Sequence, residues 1–95
     1  MIAAFKYEMI LTDYQTLMLP AGAEILDIAF QGDNLFLWAG VNTNNLDVKR
    51  EFHIYGTGHR MIPDEDRVFI KTIHHDSFVW HVYERFEKEI TNEDA

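Results

Sequence analysis

Short stretches in which apolar and polar residues alternate recur along this chain, and turn-forming residues separate them. The stretch 24–31, for example, places Leu26, Ile28 and Phe30 on one face of an extended backbone. Alternation with a period of two is typical of a β-strand with one buried face. No stretch shows a convincing helical pattern, so we predict an all-β fold, an antiparallel sandwich or small barrel.

The turn-forming residues divide the chain into six or seven strands. Gly32-Asp33-Asn34 and His75-Asp76-Ser77 each separate two apolar stretches, which predicts two hairpins. The stretch 35–41 is apolar on both faces, so it is either a central strand or a strand whose outer face is covered by a partner chain. We predict strands in residues 3–11, 15–19, 24–31, 35–41, 68–75 and 77–86, and a further strand that begins at residue 49.

The length of 95 residues and the apolar share of 47% suit one domain with one core. We assign residues 1–95 to a single domain, with its core in about residues 3–86 and an acidic, frayed C-terminal tail in residues 87–95.

The charge and the cysteine count exclude several classes of function. The net charge of −8 argues against non-specific nucleic-acid binding and against docking on anionic membranes, which both need basic residues. The chain has no cysteine, so disulfides, thiolate nucleophiles and cysteine-based zinc sites are excluded. Neither a signal peptide nor a transmembrane stretch is visible, which predicts a soluble cytoplasmic protein.

Several motifs resemble a family of small, mostly uncharacterised bacteriophage and prophage proteins. The most specific are Lys6-Tyr7-Glu8, the Leu19–Ala23 turn, Leu37-Trp38-Ala39, Gly56-Thr57-Gly58-His59 and Val79-Trp80-His81-Val82. The resemblance covers roughly residues 5–84 and implies a soluble, β-rich domain in the cytoplasm of the host cell. It implies no catalytic residue. Many small phage proteins counter host defence, some by sequestering nucleotide signals, so the resemblance also suggests an anti-defence role.

The stretch 49–60 is the strongest candidate for a functional site, because a strand runs here into a turn with two glycines and a basic pair. Glycines let backbone N–H groups approach a ligand, and basic side chains bind anions. The alternative is that the glycines mark only a structural bend. The candidate ligand-binding residues are His53, Tyr55, Gly56, Thr57, Gly58, His59, Arg60 and Lys71.

Each candidate feature also has a purely structural interpretation. The basic residues between positions 50 and 71 either form an anion site or pair with Asp64, Glu65 and Asp66. Trp38 and Trp80 either anchor the core or form a wall for a planar base. The five histidines lack known metal-ligand spacings, so we expect no metal and no cofactor.

We therefore predict a non-enzymatic phage accessory protein that binds and sequesters a small anionic ligand, such as a nucleotide-derived one, or a host protein. The alternative is a structural or protein-interaction domain without a small ligand. A small hydrolase that uses His59 or His75 has weaker support, because His75, Asp76 and Ser77 are adjacent and cannot converge as a triad. The two-sided apolar strand and the two tryptophans also predict a homo-oligomer.

Overall fold

The structure is a computed structural model that describes residues 1–63 and 65–86. Within these residues the chain forms seven β-strands and no helix, which confirms the predicted all-β fold. The predicted tail at residues 87–95 lies outside the described residues. In chain order the strands are β1 (Ile2–Met9), β2 (Tyr14–Pro20), β3 (Glu24–Gln31), β4 (Asn34–Asn42), β5 (Asp47–Gly56), β6 (Arg67–His75) and β7 (Phe78–Arg85).

The strands form two antiparallel sheets that pack as a sandwich around one apolar core. The smaller sheet has the order β1-β4-β3, and the larger has the order β2-β5-β7-β6. Each sheet contributes alternate residues to the core, as the period of two requires. The fully buried side chains at the centre are Leu19, Ile28, Leu37, Val41, Phe52 and Val82.

Both predicted hairpins are present, and each turn contains a residue with positive φ. Gly32 has φ of 63° in the turn between β3 and β4, which matches the twist of the strands without steric cost. Asp76 has φ of 54° between β6 and β7, a conformation that aspartate tolerates better than most residues.

β4 is the central strand of the smaller sheet, as its apolar sequence predicts. Leu35, Leu37 and Val41 face the core, whereas Phe36 and Trp38 are half-buried on the outer face. The rings of Phe36 and Trp38 lie 6.0 Å apart, centroid to centroid. The interpretation of Trp38 as a core anchor is therefore wrong, because strand alternation turns it away from the core.

One predicted strand face differs from the structure. A β-bulge lies between Ile25 and Asp27, so the residues before it change face relative to those after it. As a result Ile25 packs against the core, and Leu26 is 51% exposed. The expected shared face of Leu26, Ile28 and Phe30 is thus correct only for the last two.

β5 is buried on both faces, although its alternating sequence predicts one exposed face. Phe52 and Ile54 face the core, while Glu51, His53 and Tyr55 are buried on the opposite face. Glu65, in the connection between β5 and β6, contacts both His53 and Tyr55. The connection therefore encloses a polar cluster on the outer face of the larger sheet.

The larger sheet also contributes a charged pair to the space between the sheets. Arg50 on β5 donates two hydrogen bonds to Glu84 on β7, at 2.5 and 2.7 Å, and a third to the carbonyl oxygen of Ala23. Glu84 is only 6% exposed. The hydrogen bonds to Glu84 raise the pKa of Arg50 further above its ordinary value, so this pair is charged at neutral pH.

Candidate functional site

The glycine-containing turn that follows β5 builds one end of the sandwich. The amide of His59 donates to the carbonyl oxygen of Gly56 at 3.0 Å, which closes the turn. Gly58 has φ of 87°, a conformation that is strained for residues with a Cβ atom. Thr57 anchors the turn to β7, because its amide and its hydroxyl both donate to the carbonyl oxygen of Val79.

The ring of His59 folds back onto the backbone of Gly56. A Cβ atom added at Gly56 would lie 2.8 Å from Cε1 and 2.9 Å from Nδ1 of His59. The edge of Trp80 borders the same space, and the His59 and Trp80 rings meet edge to face with centroids 6.4 Å apart. Gly56 is therefore needed in the turn, because the absence of a side chain there leaves room for the ring of His59.

Three neighbouring cavities meet at His59. The first has a volume of about 410 Å³, and its walls include His53, Tyr55, His59 and Arg60. The second, of about 190 Å³, shares His59 with the first and is bordered by Trp80. The third, of about 330 Å³, shares His59 and Trp80 with the second. The three cavities adjoin one another through these shared residues, and we call them together the His59 groove.

Two residues that line the first cavity, His53 and Tyr55, form a hydrogen-bonded polar cluster with Glu65. Nδ1 of His53 lies 3.0 Å from the hydroxyl of Tyr55 and 3.1 Å from Oε2 of Glu65. The Tyr55 hydroxyl donates to the same Glu65 oxygen at 3.1 Å. Burial raises the pKa of Tyr55, and the Glu65 carboxylate adds to this effect. Tyr55 therefore remains a protonated donor at neutral pH and holds the cluster in place.

Glu65 joins this cluster to a second carboxylate, Glu51. Oε1 of Glu65 lies 2.9 Å from Nδ1 of His53 and 3.1 Å from Nε of Arg85, but neither approach has the geometry of a hydrogen bond. Arg85 also donates to Glu51 at 2.9 Å, and the Tyr14 hydroxyl donates to Glu51 at 2.6 Å. These contacts link polar groups of β2, β5 and β7 to the connection before β6.

Arg60 differs from the other basic residues that the structure describes. Its exposed guanidinium borders the first cavity and makes no ion pair or hydrogen bond with a described residue. Every other described lysine and arginine binds a polar partner. The pairs are Lys6 with Gln31, Lys49 with Glu51, Arg50 with Glu84, Arg67 with Glu65, Lys71 with Asp27, and Arg85 with Glu51 and Glu65.

The structure brings together most of the residues that the sequence suggests. His53, Tyr55, His59 and Arg60 line the first cavity. Gly56 and Thr57 line the third cavity, and Gly58 shapes the turn.

Lys71 lies apart from the groove. It projects from β6 to Asp27 on β3, where the two sheets meet, and its Nζ is 2.5 Å from the carboxylate. This salt bridge lowers the pKa of Asp27, chiefly through the hydrogen bond from Lys71. Of the basic residues suggested to pair with acids of the 64–66 segment, Arg67 does so through Glu65, and Asp64 lies outside the described residues.

The groove also contains residues that sequence patterns did not reveal. Asp13 and Tyr14 line the first cavity, because β2 pairs with β5 and sets Tyr14 opposite His53. Phe78 and Ser77 line the third cavity. Only the pairing of strands brings these distant positions together, so no local motif could have identified them.

The histidines do not gather into a metal site within the described ranges 1–63 and 65–86, which hold no cluster of three potential ligands. His81 instead lies between two hydroxyls, those of Thr57 and Thr72, each 2.9 Å from a ring nitrogen. His75 stacks on Phe30 with ring centroids 3.9 Å apart. Nor do the described residues include a helix of the length and apolar character needed to cross a membrane.

The fold and the groove define a small antiparallel β-sandwich with a histidine-lined groove at one end. A family model matches residues 1–93, and the chain belongs to that family, a domain of unknown function (DUF7352). No curated protein and no solved structure matches the chain significantly.

Proposed function

We propose that this protein binds a small anionic ligand in the His59 groove and holds it without converting it. The observation that carries the proposal is the guanidinium of Arg60, which borders the first cavity and has no ion-pair or hydrogen-bond partner among the described residues. Lys6 also lacks a carboxylate partner but bonds to Gln31, so among the described cations it is Arg60 that is available for an external anion.

The groove offers suitable chemistry for such a ligand. An arginine can bind a phosphate or carboxylate through two parallel hydrogen bonds. The rings of His59 and His53 line the same cavity and supply further hydrogen-bonding groups. The carboxylate of Asp13, also at this cavity, would accept a hydrogen bond from a hydroxyl or amino group of the ligand. The acidic surface elsewhere favours a small anion over a polyanion such as nucleic acid.

The sequence motifs suggest that this is a phage protein. For a phage protein with such a binding site, we propose that the role is to sequester the ligand. Binding alone would withhold the ligand from a host defence system in the cytoplasm. The hydrogen bonds of His53 and Tyr55 to Glu65 support this role, because a preorganised site loses little entropy on binding.

Ribose 5-phosphate, titrated into the protein by isothermal calorimetry, tests the proposal. We expect saturable binding that Arg60→Ala weakens at least tenfold, since removal of a charge-assisted contact costs about 1.5–3 kcal/mol. Lys6→Ala is the matched control, because Lys6 is an exposed cation on the outer face of the other sheet. The absence of binding, or equal loss in both variants, would contradict the proposed site.

Lys71→Ala separates the sequence-based site from the structural one. Lys71 is bound to Asp27 and lies outside the groove, so we expect binding of ribose 5-phosphate to remain unchanged. A loss of binding as large as that of Arg60→Ala would mean that the ligand contacts the edge between the sheets instead.

A second candidate function is self-association through the outer face of the smaller sheet. Phe36 and Trp38 lie there side by side on the central strand, half-buried and flanked by the small residue Ala29. Nζ of Lys6 lies 4.3 Å from the centroid of the Phe36 ring and covers part of that ring. We infer that a second copy of the chain covers the rest of this aromatic pair.

A further inference from the structure

An aromatic surface lies at the opposite end of the His59 groove from Arg60. Phe78 and Trp80 are two residues apart on β7, so their side chains share one face of the strand. Their rings stack with centroids 5.9 Å apart and an angle of 27° between planes. Phe78 is 60% exposed, which leaves most of its ring open to solvent.

The surface borders the third cavity, where hydroxyl groups accompany the aromatic rings. Thr57 and Ser77 both line this cavity together with Phe78 and Trp80. A hydroxyl can donate or accept a hydrogen bond, so it suits the mixed donor and acceptor edge of a heteroaromatic ring. The Thr57 hydroxyl already bonds to the carbonyl oxygen of Val79 and to His81, so the exposed Ser77 hydroxyl is the group that can meet the polar edge of a ligand.

The aromatic surface and Arg60 border adjoining cavities of the His59 groove. The first and second cavities share Asp13, Ile54 and His59 as walls. The second and third share His59 and Trp80. A ligand that reaches from the first cavity to the third must therefore pass His59, whose ring is held between Gly56 and Trp80.

We propose that the third cavity is a subsite for a planar heteroaromatic ring, which stacks on the exposed Phe78 beside Trp80. The inference rests on the proposed function, since it assigns the anionic group of the same ligand to Arg60. The combination of a flat ring with hydrogen-bonding edges and an anionic group defines the ligand class as a nucleotide. Stacking tolerates any base, because each base presents an aromatic face, so base identity depends on the hydroxyl of Ser77.

Three probes test the subsite. Adenosine 5′-monophosphate carries both the base and the phosphate, ribose 5-phosphate lacks the base, and adenosine lacks the phosphate. We expect adenosine 5′-monophosphate to bind about tenfold or more tightly than ribose 5-phosphate, given the usual strength of stacking on an aromatic side chain. Phe78→Ala should remove this difference and leave the affinity for ribose 5-phosphate unchanged. Because Phe78 is largely exposed, its truncation leaves the core intact.

Phe69→Ala is the matched control for Phe78→Ala. Phe69 is 53% exposed on β6 and packs edge to face on Tyr83, outside the groove. The Phe69→Ala variant should have the same affinities as the wild type for all three probes. A second readout is quenching of tryptophan fluorescence, which adenosine 5′-monophosphate should cause and ribose 5-phosphate should not, because only the base reaches Trp80.

The outcomes distinguish this inference from the proposed function. Equal affinity of the wild-type protein for adenosine 5′-monophosphate and ribose 5-phosphate, with Arg60-dependent binding of both, overturns the ring subsite and supports the anion site. Binding of adenosine that requires Phe78 but is indifferent to Arg60 supports the ring subsite and overturns the anion site. Failure of all three probes to bind overturns both.

Discussion

The imidazole of His59 occupies the space that a side chain at Gly56 would fill. The two residues are three positions apart, and the turn between them brings the ring to within 3 Å of an ideal Cβ position on Gly56. Gly56 does not have positive φ, so steric room for the ring, and not backbone conformation, is the reason for glycine at this position.

We expect Gly56→Ala to displace the His59 ring and to weaken ligand binding in the groove. The added methyl group also meets Cζ3 of Trp80 at 3.0 Å, so overpacking should lower the free energy of unfolding by about 1–3 kcal/mol. Calorimetry and urea unfolding measure the two effects.

The double variant Gly56→Ala/His59→Ala provides the control for this prediction. Removal of the ring relieves the closest contact, so Gly56→Ala should destabilise the His59→Ala protein less than it destabilises the wild type. Equal destabilisation in both backgrounds would show that His59 does not rest on Gly56.

The buried pair of Arg50 and Glu84 should be sensitive to the loss of either partner. Arg50→Met leaves Glu84, whose side chain is only 8% exposed, without its charged partner, and we expect a loss of about 3–5 kcal/mol in urea unfolding. Replacing both partners, as in Arg50→Met/Glu84→Leu, should restore most of the stability because no unpaired charge remains.

The exposed pair of Lys71 and Asp27 is the matched comparison. Both side chains are more than one-third exposed, so Lys71→Met should change the free energy of unfolding by only about 0–1 kcal/mol. If Arg50→Met lowers the free energy of unfolding as little as Lys71→Met does, then burial does not make the stability depend on the partner of Glu84.

Acid should destabilise the protein in part through Glu51. The hydrogen bond from Tyr14, helped by Arg85 and Lys49, holds the pKa of Glu51 below its ordinary value. A lowered folded-state pKa contributes stability that is complete above the unfolded value, about 4.3. This contribution is lost as the pH falls through the lower, folded-state value.

The measurement is the melting temperature between pH 7 and pH 3, chosen to bracket the pKa of an unfolded glutamate. Tyr14→Phe removes the hydrogen bond to Glu51, so its melting temperature should fall less over this range than that of the wild type. Tyr83→Phe serves as the control, because Tyr83 makes aromatic contacts with Tyr55 and Phe69. If Tyr14→Phe and the wild type lose the same stability in acid, the hydrogen bond does not control the titration of Glu51.

Trp38 should determine whether the chain self-associates. We expect the wild-type protein to elute as an oligomer in size-exclusion chromatography with light scattering, and Trp38→Lys to elute as a monomer. The lysine places a charge on the outer aromatic face without touching the core, since Trp38 points away from it. A monomeric wild type, or an oligomer unchanged by Trp38→Lys, would reject self-association through this face.

Local patterns predicted most of the fold because each strand carries its own signal. The hairpin between β3 and β4 follows from Gly32 and from alternating residues on both sides, and the structure contains it with β3 at the expected residues. The bulge after Ile25 could not be predicted from the sequence. A single extra residue leaves the composition of the strand, and the apparent alternation of its apolar residues, almost unchanged.

The candidate site was predicted only where its residues are close in sequence. His53, Tyr55, His59 and Arg60 lie within eight positions on one strand and its turn, and they line one cavity. Lys71 was grouped with them by charge and proximity along the chain, but the structure pairs it with Asp27 across the edge of the sandwich.

The amino-acid sequence by itself determined the β class, the hairpins and the position of the glycine turn, because alternation and turn chemistry act over a few residues. Only the tertiary structure decided which polar groups share the groove and which described cation has no partner among residues 1–63 and 65–86. Strand pairing brings Tyr14 to His53, and the connection after β5 brings Glu65 into contact with His53. These contacts depend on long-range register, and a local sequence pattern does not specify which distant strands meet.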